Sequence, residues 1–162
     1  MYQERRPMLA VTALNEIMTV NQLLNGFVTM FVAVCDVTNG QLTYSSCGHE
    51  PAMIHRSTDG SIVTLHSNGM PIGIDCHAVY AEDTFLLNNG DSLLIYTDGL
   101  SEAGPDRNNL LGAAGLETIF ADVAGSKSSM QAADCVVNEV RQFANGAFKD
   151  DICVLVAQRC GI

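Results

Sequence analysis

Two apolar stretches of this chain meet carboxylates. Leu93-Leu94-Ile95-Tyr96 runs into Thr97-Asp98-Gly99 and then Leu100-Ser101-Glu102-Ala103, while Asp150-Asp151 stands directly before Ile152-Cys153-Val154-Leu155-Val156. Acids at strand ends are held rigidly and offer hard oxygen donors, the ligands that Mg²⁺ and Mn²⁺ take. A divalent ion in such a place suits chemistry on phosphate. Taken alone, Asp98-Gly99 is an ordinary turn pair. A second acidic pair at the head of another apolar stretch favours the metal reading.

The elements that must deliver these acids can be read from periodicity. Residues 8–24 carry Leu9, Leu14, Ile17, Met18 and Val20 near helical spacing, with Pro7 in a first turn and Asn25-Gly26 as the stop. Residues 27–37 read as a buried strand, Thr38-Asn39-Gly40 as a hairpin turn, and residues 41–47 as the returning strand. Gly48-His49-Glu50-Pro51 breaks the chain before a second hairpin, residues 52–56 and 61–65. Gly69-Met70-Pro71-Ile72-Gly73 is a stiff loop, and strands follow at 83–87 and 92–97. The period then changes. Residues 110–123 and 129–144 read as helices, the second with a stripe of Met130, Ala133, Val136, Val137, Val140 and Phe143. A last strand covers 152–157. Strands and helices are segregated, so the expected class is α+β, in one domain spanning residues 1–162.

Bulk properties narrow the function classes. With 162 residues and 48% hydrophobic content, the chain suffices for a real core. A net charge of −10 argues against a nucleic-acid backbone as partner. No apolar run approaches the ~20 residues of a membrane span, and the N-terminus lacks a signal-peptide core, so a cytoplasmic protein without a membrane partner is expected. The six cysteines form no Cys-x-x-Cys pair. Cys35, Cys135 and Cys153 lie in apolar runs and read as reduced core thiols, with Cys160 the one expected at the surface. Met18, Met30, Met53 and Met130 read as core filler, and His55, His66 and His77 as surface residues. Thr29 reads as a packing residue, since no base accompanies it.

An ordered series of motifs adds to this. Phe27-Val28-Thr29-Met30-Phe31, Leu42-Thr43-Tyr44 with Cys47-Gly48-His49-Glu50-Pro51, Met70-Pro71-Ile72-Gly73, the run from Gly90-Asp91 to Ala103, and Asp150-Asp151-Ile152 succeed one another along nearly the whole chain. Together they resemble the stage II sporulation protein E-like branch of the PPM (protein phosphatase 2C-type) serine/threonine phosphatases. The resemblance implies two packed antiparallel sheets flanked by helices. It also implies a pair of Mn²⁺ or Mg²⁺ ions whose bridging water attacks the phosphorus of phosphoserine or phosphothreonine. By position in the motifs, Asp98 and Asp150 resemble metal-ligand carboxylates, and Gly99 a point of close backbone approach at the metal site. Asp151 resembles an outer residue or a strand start, and Glu102 a residue that orients the loop. His49 reads either as a general acid or as a bend residue, and the frame of Gly48 and Pro51 favours the bend.

The chain departs from the family in one respect. The family opens with two strands and a Gly-Asp-x-x-Gly segment that supplies a metal-bridging aspartate, and no such segment precedes Met8. The expectation is therefore a domain lacking its first strands and first helix. Metal affinity should be weak, because Mg²⁺ keeps its waters unless several ligands converge. An unpaired sheet edge should promote self-association into a homo-oligomer. The expected function is a metal-dependent protein phosphatase domain acting on a phosphorylated regulatory protein, such as an anti-sigma factor antagonist, with weak activity or none. The alternative is a catalytically silent interaction module of the same fold.

Overall fold

A computed structural model describes residues 6–20, 26–146 and 148–161. In chain order the elements are α1 (Pro7–Val20), β1 (Met30–Asp36), β2 (Gln41–Cys47), β3 (Ala52–His55), β4 (Ile62–Leu65), β5 (Asp83–Leu86), β6 (Ser92–Tyr96), α2 (Asp98–Ser101), α3 (Gly112–Ala124), α4 (Ser129–Phe143) and β7 (Val154–Gln158). The fold is α+β with two antiparallel sheets and helices. The chain divides into two compact units, Met1–His49 with His66–Leu87, and Glu50–Leu65 with Asn88–Ile162. No described helix is long and apolar enough to cross a membrane.

The first unit holds a three-stranded sheet in the order β1-β2-β5. β1 and β2 pair from Met30↔Cys47 to Asp36↔Gln41, and the Thr38–Gly40 turn closes them as expected. Asp36 caps that turn by accepting the Thr38 amide at 2.9 Å and its hydroxyl at 2.6 Å. The run 27–37 is not a buried strand, however. It shortens to Met30–Asp36 with exposed Ala33, Cys35 and Asp36, because β1 is an edge strand. The expected helix runs Pro7–Val20, and its expected continuation to Leu24, with Asn25 of the Asn25-Gly26 stop, lies outside the described residues. Its buried face is Val11, Asn15 and Met18, whereas Leu9, Ile17 and Val20 point outward. The polar member of that face explains the choice. The Asn15 amide donates to the Asp75 carbonyl at 2.9 Å and accepts the Gly73 amide at 2.8 Å, stitching the Gly69–Gly73 loop to α1. Val11, Met18, Cys47, Ile72 and Tyr80 form the core of this unit.

The second unit holds a four-stranded sheet, β4-β3-β6-β7, with α3 and α4. Met53, Leu94, Tyr96 and Leu100 meet Leu116, Phe120, Val136 and Val140 in its core. Ser128 opens α4 with a capping box to Gln131. Of the expected α4 stripe, Val136 and Val140 are buried, but Met130 and Phe143 are exposed, and Ala132 takes the inward position instead. Met130 is thus not core filler, and Met30 is half-buried. Cys35 and Cys153 are exposed rather than core thiols, Cys35 on the outward row of an edge strand and Cys153 before β7 begins. His55 is not at the surface. It ends the central strand β3 at 5% exposure, edge-on to Phe120 with ring centres 6.4 Å apart.

Candidate functional site

β6 ends at Tyr96, and the next residues bind laterally to the segment before β7. The Thr97 amide donates to the Cys153 carbonyl at 3.1 Å, which continues the ladder by one bond. The return bond is different. The Cys153 amide goes to the Thr97 hydroxyl at 2.9 Å, and that hydroxyl donates to the Asp151 carbonyl at 3.3 Å. A side chain has replaced a strand carbonyl, so β7 begins at Val154 and not at Ile152, and Asp151 is not a strand start. Thr97 then serves as the N-cap residue of α2 in extended geometry, a one-turn helix that the periodicity did not reveal.

Gly99 makes this juxtaposition possible. A Cβ placed on it would collide with the Asp151 carbonyl oxygen and stand 3.1 Å from an Ile152 methyl. Only glycine admits the two backbones at this separation. The segments 97–99 and 150–153, distant in sequence, are therefore held together by backbone contact at Gly99 and by the Thr97 hydroxyl.

Beside this contact lies a pocket of about 320 Å³ lined by Gly99, Glu102, Arg107, Leu110, Lys149 and Asp150. The structure thus brings together Gly99, Glu102 and Asp150 of the expected residues. Asp98 is exposed at the first position of α2, one residue from the lining. Asp151 is exposed and gives its amide to the Asp150 carboxylate at 2.7 Å, which orients that acid. His49 belongs to the first unit, where its Nδ1 lies 3.5 Å from the Thr29 hydroxyl, and it is not among the lining residues.

Three further features were not singled out in the sequence. Arg107 and Lys149 put two of the chain's 8 basic residues on one pocket. Lys149 directly precedes Asp150, and that scarcity of cations was the available signal. Glu50 accepts a hydrogen bond from the Ser101 hydroxyl at 3.2 Å, and Ser101 also reaches the Asp98 carbonyl at 3.2 Å, so Glu50 steadies α2. Burial, and then the nearby charge of Glu50, pushes the Tyr96 hydroxyl up to about 12.

Asp150, Glu102 and the neighbouring Asp98 are oxygen donors of the kind that Mn²⁺ or Mg²⁺ takes. Their number falls short. Among the described residues no group of three or more His, Cys, Asp or Glu side chains is arranged to hold a metal ion. The donors suit the ion in chemistry without completing a coordination sphere.

Comparison with known proteins places this geometry. Protein IcfG of Synechocystis sp. is 30% identical over 135 residues, covering 82% of this chain and 21% of that protein. The phosphoserine phosphatase RsbU of Bacillus subtilis is 25% identical over 153 residues, covering 94% of this chain and 45% of RsbU. The chain spans less than half the length of either relative. Among solved structures, the RsbU and RsbW domains of Rv1364c from Mycobacterium tuberculosis superpose with a TM-score of 0.81 at 24% identity, over 97% of this chain and 43% of that one. The family model for stage II sporulation protein E (SpoIIE) matches residues 1–160. The chain belongs to the SpoIIE family of PPM-type phosphatase domains.

Proposed function

We propose that this chain is a phosphatase domain that acts on phosphoserine or phosphothreonine of a regulatory protein, such as an anti-sigma factor antagonist, in the cytoplasm. One observation carries the reading. The Thr97-Asp98-Gly99 and Asp150-Asp151 segments are pressed together through Gly99 and Thr97 beside a pocket that holds Glu102 and Asp150. A bound divalent ion would lower the pKa of its water and offset charge on a phosphoryl group. Asp150 and Asp98 are the residues of this chain assigned to holding it, with Gly99 permitting close backbone approach and Glu102 facing the same pocket. Asp151 orients Asp150 through its amide, and His49 is assigned to the bend.

The test is hydrolysis of a phosphoserine peptide in Mn²⁺, read as released phosphate. Turnover lost on Asp150→Asn supports the reading, and turnover untouched by that change contradicts it. A second reading, a silent module that binds a phosphorylated regulator without hydrolysis, is favoured by the incomplete ligand set among the described residues. It predicts peptide binding without phosphate release.

Self-association belongs to the same proposal. β1 is an edge strand, and among the described residues it pairs with β2 alone. Unpaired edge amides and carbonyls are a template for a second chain. Light scattering at micromolar concentration should give a mass above that of one chain, and a strict monomer contradicts the edge-pairing part.

A further inference from the structure

The pocket that holds Glu102 and Asp150 also holds Arg107 and Lys149. Four pocket charges of mixed sign would ordinarily pair off. Here they do not. Among the described residues the ion pairs are Arg6–Glu82 and Arg56–Asp91, and neither pocket cation lies within pairing distance of a carboxylate.

The ammonium of Lys149 is tied in place, and Arg107 stands on a closed loop. Lys149 Nζ donates to the Gly104 carbonyl at 3.0 Å, which fixes the ammonium at the pocket wall and leaves two of its three protons unused. Arg107 has no hydrogen bond among the described residues, yet its loop is closed tightly. The Leu111 amide bonds the Ala103 carbonyl at 2.8 Å, the Asn108 amide bonds Asp106 Oδ1 at 2.8 Å, and Asp106 bridges Asn109. A Cβ on Gly104 would collide with the Asn109 carbonyl, so the loop base is as compact as backbone allows. A planar guanidinium and an ammonium lining one pocket match a tetrahedral dianion, taken bidentately by the first and as a point charge by the second. A phosphate approaching Asp150 and Glu102 without such cations would be repelled.

We propose that Arg107 and Lys149 form an anion subsite that receives the phosphoryl group of a phosphorylated side chain in this pocket. The inference rests on the phosphate-chemistry reading of the site and adds which residues recognise the phosphate. It requires no metal.

The experiment is a titration of the full chain with inorganic phosphate in excess chelator, followed by amide shifts of Gly99 and Gly104. Saturable shifts are expected. Lys149→Gln should weaken binding about tenfold, the loss of one charge-assisted hydrogen bond, and Arg107→Gln, which removes a bidentate pair, by at least as much, while Lys149→Arg keeps the charge and most of the affinity. No saturable shift, or unchanged affinity in both Gln variants with native circular dichroism, overturns the proposal. Hydrolysis of p-nitrophenyl phosphate in Mn²⁺ separates it from the phosphatase reading. Phosphate binding that depends on Arg107 without any turnover supports the subsite and removes the enzyme. Turnover with a KM indifferent to Arg107→Gln removes the subsite and keeps the enzyme.

Discussion

The two ends of β6 carry aspartates with opposite fates. Asp91, before the strand, has no side-chain exposure and a full set of partners. Arg56 Nη1 donates to it at 2.6 Å, the Ser57 and Asn88 amides each at 2.9 Å, and the Ser57 hydroxyl at 3.2 Å. Asp98, beyond the strand, is exposed at the head of a one-turn helix, and Asp150, on the pocket that Gly99 also lines, accepts among the described residues the amide of its own neighbour. One acid spends its lone pairs on the fold. The other two face solvent. Both Asp91 and Asp98 lie in the same motif run, so motif membership does not by itself distinguish an acid bound into the fold from one left open to solvent. The number of donors already aimed at each carboxylate does.

That contrast can be broken most severely at Asp91. Asp91→Ala takes the carboxylate from the Arg56 guanidinium and from the Ser57 and Asn88 amides, and should cost about 3–5 kcal/mol in denaturant unfolding. Asp98→Asn should change stability by no more than about 0.5 kcal/mol while weakening Mn²⁺ binding. Equal effects at both ends would erase the distinction. Gly99→Ala comes next. It forces the 97–99 and 150–153 segments apart, for a loss of about 1–3 kcal/mol, and should perturb amide signals on both sides of the contact.

Acid titration sharpens the same point. Burial pushes the Asp91 carboxyl up, but the Ser57 and Asn88 amides, Arg56 and the Ser57 hydroxyl together outweigh it and hold the group below its ordinary range. A depressed folded value means that the stabilisation is complete above the unfolded pKa of about 3.9 and is lost as pH falls through the folded one. Unfolding free energy should therefore drop below about pH 4 in the native chain, and that drop should shrink in Asp91→Asn.

The smallest effect is expected at Tyr96. Its hydroxyl is buried with no partner among the described residues. Tyr96→Phe removes an unsatisfied group and should be neutral or stabilising by about 1 kcal/mol. With a folded value of about 12 against an unfolded value of about 10, the tyrosine's contribution holds below the unfolded value. It fades as pH rises between the two, and the Phe variant should lose that alkaline slope.

Much of this architecture was legible in the sequence. Gln41–Cys47 and the Thr38–Gly40 turn announced themselves through alternation and an Asn-Gly pair, and the order of motifs led to the family. What escaped was decided by tertiary context. The apolar run at β1 suggested burial on both faces, yet apolar content does not say whether a strand is central or an edge. His55 sits inside because β3 is central and because Gly125 leaves room above the ring, where a Cβ would lie 3.1 Å from Cε1. The buried face of α1 turned on Asn15, whose value lies in a loop some 60 residues away, as the bond to Asp75 attests. At the site, the acids and Gly99 were readable from their motifs. Arg107 and Lys149 were not, because a cation in a polar loop carries no periodic signal until folding sets it against another.

The central question is whether the Thr97–Gly99 and Asp150–Asp151 segments form one cation-binding place with too few ligands. Calorimetric titration of the chain with Mn²⁺, beside Asp150→Asn, measures this directly. Millimolar binding is expected in the native chain and should disappear in the variant. Micromolar binding, or binding indifferent to Asp150, would contradict it.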